Sequence, residues 1–152
     1  MLNRPDIRAV TGKVFGLTAL TGGDINEVVR VSAAKGEFVL KSNRNPPPGL
    51  FASEADGLAL LGKNGLKVPE VYLLDEEIHL MEYFAPGAPQ PARAGEMLAR
   101  LHSQAQSSYG LDSPTYLATL LQDNRPATSW ADFHATMRID PLVRAIGDDS
   151  AD

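Results

Sequence analysis

The chain has 152 residues, 43% of them hydrophobic, no cysteine and a formal net charge of −5. That length suits one domain with a real core. The acidic balance argues against nucleic acid as the main partner, because binding a phosphate backbone needs a basic face. The missing cysteines remove disulfides, thiolate catalysis and zinc–thiolate sites, and fit a reducing, cytoplasmic setting.

The N-terminus, Met1-Leu2-Asn3-Arg4-Pro5-Asp6-Ile7-Arg8, carries charge where a signal peptide needs an apolar run. No stretch approaches the roughly 20 apolar residues that span a bilayer, so no membrane partner is expected. A short helix is predicted around Asp6 to Lys13, then a strand from Val14 to Leu20. Gly22-Gly23-Asp24-Ile25-Asn26 reads as a loop, Val28 to Ala33 as a second strand, and Phe38 to Lys41 as a third. Ala34-Lys35-Gly36 supplies the turn between the last two, making a hairpin with glycines at its entrance and a lysine at its exit. Period-2 alternation places Lys41 on one face with Val39 and Glu37, and Phe38 and Leu40 on the other. Such an arrangement suits a nucleotide phosphate. Glycine lets the backbone approach and present N–H groups, and lysine adds a point charge. By pattern alone, the better reading of Lys41 is a cation turned to solvent at a strand end.

Asn45-Pro46-Pro47-Pro48-Gly49 takes the chain out of the sheet. The period then becomes helical from Leu50 to Asn64, with Leu50, Glu54, Leu58 and Leu61 on one stripe and Asn64-Gly65 as the stop. Two strands follow, Val68 to Leu74 and Ile78 to Tyr83, joined by an acidic turn at Asp75-Glu76-Glu77. After the break at Ala85-Pro86-Gly87-Ala88-Pro89, an amphipathic helix is predicted from Pro91 to Gln106, with Ala94, Met97, Leu98 and Leu101 buried. Further on come a turn near Gly110 to Pro114, a helix over Tyr116–Gln122, and a helix from Trp130 to Arg138 with Trp130 and Phe133 as a core pair. The layout is α+β, with a mostly antiparallel sheet of five strands, one long helix on it, and then helices. It divides into a small lobe at 1–84, a linker at 85–90 and a helical segment at 91–152. His79, His102 and His134 show no metal-ligand spacing, and His102 reads as a packing or capping residue.

A lysine ending the third strand and a glutamate in the following helix resemble the small lobe of a protein-kinase-like fold. The wording of the sequence is more specific. Gly22-Gly23-Asp24-Ile25-Asn26-Glu27, Phe38-Val39-Leu40-Lys41, Phe51-Ala52-Ser53-Glu54-Ala55-Asp56-Gly57-Leu58, Val68-Pro69-Glu70-Val71, Met81-Glu82-Tyr83 and Leu98-Ala99-Arg100-Leu101-His102 resemble the fructosamine kinase (ketosamine-3-kinase) family, one of the aminoglycoside-phosphotransferase-like kinases. Tyr109-Gly110-Leu111 and Ser129-Trp130-Ala131-Asp132-Phe133 are similar to its next segments, so the likeness runs over nearly the whole chain.

The resemblance implies transfer of the γ-phosphoryl of ATP to a sugar hydroxyl of a ketosamine, either a small fructosamine or ribulosamine or a glycated protein, in deglycation. It places Lys41 on the ATP phosphates and Glu54 as its partner, since a carboxylate on a buried stripe is costly unless paired. Gly22, Gly23, Asp24 and Asn26 become the phosphate loop. Glu82, Tyr83 and Phe84 become the hinge whose backbone meets adenine. Catalytic and Mg²⁺-binding residues are expected downstream, in a His-Gly-Asp-type loop and a following aspartate. The only Gly-Asp pairs here are Gly23-Asp24 and Gly147-Asp148, neither preceded by histidine. No catalytic residue is therefore assigned, and the chain reads as a nucleotide-binding half that is inactive by itself. An inactive nucleotide-binding or interaction module is the alternative. Helix faces including Leu98, Leu101, Leu120, Leu121 and Leu142 would normally pack on the rest of the large lobe, so a homo-oligomer is expected.

Overall fold

The computed structural model describes residues 3–21 and 25–148. Gly22, Gly23 and Asp24 lie outside the described residues. The chain forms two compact units, residues 1–98 and 99–152. The division falls inside a helix rather than in the proline-rich stretch at 85–90.

In the first unit the elements are α1 (Pro5–Thr11), β1 (Val14–Ala19), β2 (Glu27–Ala33), β3 (Gly36–Ser42), α2 (Leu50–Lys63), β4 (Val71–Leu74) and β5 (Ile78–Glu82). Among the described residues, five strands make one sheet in the order β1-β2-β3-β5-β4, every neighbour antiparallel. Cross-strand partners share a face, so the register sorts the side chains. Val31 pairs with Phe38, Val29 with Leu40, and Leu40 with Leu80. These residues, with Ala33, Ile78 and Ile7 of α1, form the apolar core. Val39 pairs with Met81 and Lys41 with His79, which puts those four on the opposite face.

The sheet is therefore covered twice, and β5 is buried from Ile78 to Met81 on both sides. On the core face α1 is fastened at both ends. Arg4 reaches Asp6, at 2.6 Å, and Asp75 in the β4–β5 turn, while Lys35 in the β2–β3 turn donates to the Ala9 carbonyl at 2.7 Å. On the other face lies α2. Its fully buried side chain is Phe51, while Leu50, Glu54, Leu58 and Leu61 are half-buried. Phe51, next to the expected leucine line, is thus the side chain of α2 that packs most deeply. Gly49 starts α2 at φ 74°, a left-handed conformation that suits glycine after three prolines.

Helix α3 (Pro91–His102) contradicts the buried face expected of it. None of its residues is buried; Met97 and Leu101 are half-covered, and Ala94 and Leu98 are exposed. Its end at His102 also falls short of Gln106.

The second unit differs from expectation between 115 and 122. In place of a helix it has a hairpin, β6 (Thr115–Leu117) and β7 (Leu120–Gln122). Ala118 enters the left-handed region at φ 59° to make the turn. The buried Asn124 then pins the hairpin base, donating to the Ser113 carbonyl at 2.9 Å and to Thr115 Oγ1 at 3.0 Å. Gly110 passes so close that a Cβ there would lie 2.4 Å from the Asn124 carbonyl oxygen.

Helix α4 (Trp130–His134), capped by Ser129, runs through one wide turn at Ala135–Ile139 into α5 (Asp140–Asp148). Pro141 explains the wide turn. It has no N–H to offer the Met137 carbonyl four residues earlier, and its ring crowds that carbonyl. The Arg138 guanidinium takes the Met137 oxygen instead, at 2.9 Å, and also bonds the Asp123 carbonyl and Asn124 Oδ1. Phe133 is buried beneath Arg138, whereas Trp130, expected in the core beside it, is 56% exposed.

Candidate nucleotide-binding site

Strand β3 ends its alternation with Lys41 on the face covered by α2, and Glu54 lies one turn after Phe51 on that helix. The two side chains meet: Lys41 Nζ donates to Glu54 Oε1. Phe51 anchors the helix and so fixes the distance between the charges. Both residues are about 30% exposed, so the pair sits at a rim that a ligand can reach. The second carboxylate oxygen, Oε2, lies 3.8 Å from Nδ1 of His79, which is fully buried. At that distance the contact is electrostatic and too long for a hydrogen bond. Burial pushes the Glu54 carboxyl up, but the facing His79 ring and Lys41 outweigh it and hold the group at about 2, against an ordinary 4.5.

Other candidates occupy the surroundings of this pair. Asn26 stands where the glycine loop enters β2, and Asn43, two residues beyond Lys41, donates to Asn26 Oδ1 at 3.0 Å and to the Ile25 carbonyl at 3.2 Å. Asn43 thereby ties the loop's end to the end of β3. Glu82 closes β5; its amide donates to the Glu70 carbonyl at 2.8 Å, and its side chain accepts from the Glu70 amide at 3.3 Å. Its N–H is therefore committed within the fold. The Tyr83 ring lies under Arg30, 4.5 Å from the guanidinium carbon, and Arg30 in turn pairs with Glu37 at 2.6 Å. Phe84 is exposed, with Lys67 Nζ 4.6 Å from its ring centre.

Lys41 and Glu54 are thus in contact; Asn26 lies at the loop's edge, while Glu82, Tyr83 and Phe84 lie where β5 leaves the sheet. Two residues escaped the sequence reading, His79 and Asn43. A signal for His79 existed, since a histidine within the apolar run Ile78-His79-Leu80-Met81 falls opposite Lys41 once β5 is placed beside β3. Among the described residues, no group of three or more His, Cys, Asp or Glu side chains could hold a metal ion, and no helix is long and apolar enough to cross a membrane.

Comparison with known proteins agrees with this geometry. The family model for fructosamine kinase matches residues 6–151. The chain belongs to the fructosamine kinase family. A Thermus thermophilus protein named as a probable ketoamine kinase is 38% identical over 129 residues, covering 85% of this chain and 47% of that protein. A rice chloroplastic protein named protein-ribulosamine 3-kinase is 27% identical over 137 residues, 84% of this chain and 40% of its own length. A solved Thermobifida fusca structure named for a fructosamine-3-kinase superposes with a TM-score of 0.80 at 31% identity, over 95% of this chain and 53% of that one. The chain spans about half the length of the curated relatives it matches. Its α+β fold is that of the kinase-like neighbours.

The depressed Glu54 carboxyl carries a stability consequence. A carboxylate whose folded value lies below its unfolded one stabilises the fold above the unfolded value, and that contribution is lost as pH falls through the folded value. Glu54→Gln should cost about 1–2 kcal/mol at pH 7, discounted for partial exposure. Denaturant melts across pH should show the gap from the parent chain shrinking between about pH 4.5 and about 2. A gap that stays constant over that window would show the pair to be energetically idle.

Proposed function

We propose that the first unit binds the triphosphate of ATP, as the nucleotide half of a kinase acting on ketosamines. The observation that supports this best is the Lys41–Glu54 pair. A half-exposed ammonium, oriented by a carboxylate and backed by a sheet, is a ready point charge for phosphate oxygens. In this reading Asn26 contacts the phosphates together with Gly22, Gly23 and Asp24, which lie outside the described residues. With the Glu82 N–H engaged, adenine is met by the backbone of Tyr83 and Phe84. The names of the relatives favour a fructosamine or ribulosamine, free or on a glycated protein, as phosphoryl acceptor. The proposed setting is the cytoplasm.

Phosphoryl transfer needs a group to orient the attacking hydroxyl and oxygen ligands for Mg²⁺, which neutralises charge on the transferring group when bound. Among the described residues no group of three or more His, Cys, Asp or Glu side chains could hold a metal ion, and the role proposed for the chain is ATP binding, with no Mg²⁺ ligand assigned in it. Lys41→Ala should weaken ATP binding about tenfold or more by isothermal titration, measured well below a melting temperature that falls by the few degrees expected for unpairing Glu54. Absence of any ATP-induced rise in the parent's melting temperature, or equal affinity in the variant, would remove the proposal.

We also propose self-association. Leu98 of α3, Leu121 of β7, and Val143 and Ile146 of α5 are all more than half exposed, which is unusual for apolar side chains in such number. A second copy of the chain offers the same surfaces in return. Light scattering should give a mass above that of one chain at micromolar concentration, and a monomer at high concentration would contradict this.

A further inference from the structure

His79 is a buried titratable side chain in the first unit to which the phosphate reading gives no task. It is fully buried, and among the described residues neither ring nitrogen has a hydrogen-bond partner. An orphaned buried polar group costs stability, and a leucine or phenylalanine would fill the space without that cost. Packing alone therefore does not explain an imidazole here.

Its neighbours do. His79 is the cross-strand partner of Lys41, so the two project from adjacent strands onto one face. Glu54 reaches between them, with Oε1 on Lys41 and Oε2 3.8 Å from His79 Nδ1. Phe51 closes the far side, its ring centre 6.1 Å from the imidazole. The gap between Nδ1 and Oε2 exceeds a hydrogen bond by well under 1 Å, within reach of a small rotation of the glutamate.

We propose that His79 is a positioning residue for the phosphate-binding lysine: its Nδ1–H holds the second oxygen of Glu54 when phosphate draws the Lys41 ammonium outward. The carboxylate then keeps its orientation and its charge, and Lys41 stays tethered instead of swinging free. Such contacts are often long before ligand binds and tighten afterwards. The role rests on the reading of Lys41 as a phosphate ligand.

The test has two arms. In the first, ATP affinity is measured for the parent, His79→Phe and His79→Asn, each with Lys41 and with Lys41→Ala. Asparagine retains an N–H near the Nδ1 position. His79→Phe should bind ATP about fivefold more weakly, His79→Asn should recover to within about twofold, and His79→Phe should have no further effect beside Lys41→Ala. Unchanged affinity in His79→Phe, or an equal loss with and without Lys41, overturns the proposal. The second arm needs neither nucleotide nor a folded Phe variant. Imidazole ¹⁵N spectra of the parent should show His79 protonated at Nδ1, a preference lost in Glu54→Ala. Protonation at Nε2 in both proteins overturns the proposal. A parent that binds no ATP yet shows the Glu54-dependent Nδ1–H would sink the nucleotide reading and leave the His79–Glu54 contact standing.

Discussion

The contact between Lys41 and Glu54 is the constraint around which the first unit is arranged. An ammonium and a carboxylate brought to a protein surface gain little from each other unless the framework holds them in place. Here the lysine is fixed by strand register and the glutamate by a helix wedged on Phe51. The pair's charge state follows from this placement: the carboxyl stays ionised down to about pH 2 because two basic side chains face it.

The sheet makes the placement possible by dividing its work between two faces. One carries the apolar core, sealed by Ile7 of α1 and anchored through Arg4 and Lys35. The other carries Lys41, His79, Val39 and Met81, with the Arg30–Glu37 pair farther along. Because the core face supplies the hydrophobic burial, the α2 face can hold charged groups at its rim. Substitutions on the core face should act through stability; on the proposed phosphate role, those around Glu54 act through binding as well.

Much of this architecture was legible in the sequence, because period-2 and period-3.6 patterns report directly on which side chains share a face. The five strands and the helix after the prolines follow from such patterns, whereas the meeting of Lys41 with Glu54 is what the family resemblance implies. Where the readings failed, the deciding information was not periodic. The hairpin at Thr115–Gln122 depends on Asn124, whose partners are distant in sequence or in the backbone. The widened turn before α5 depends on Pro141 and on an arginine replacing a lost N–H. For α3 the amphipathic pattern was real, yet a pattern states only that a face is suited to burial, and here Leu98 is uncovered. His79 was missed because strand pairing, which a single strand's pattern does not contain, puts it beside Lys41.

The chain belongs to the fructosamine kinase family, and the phosphate role proposed for the pair can be probed on the lysine itself. The direct measurement is a ¹H–¹⁵N correlation of the lysine ammonium groups during titration with ATP, repeated with adenosine. A phosphate role predicts that the Lys41 resonance moves with ATP and stays in place with adenosine. ATP that binds while Lys41 is undisturbed, or adenosine that moves it equally, would contradict that role.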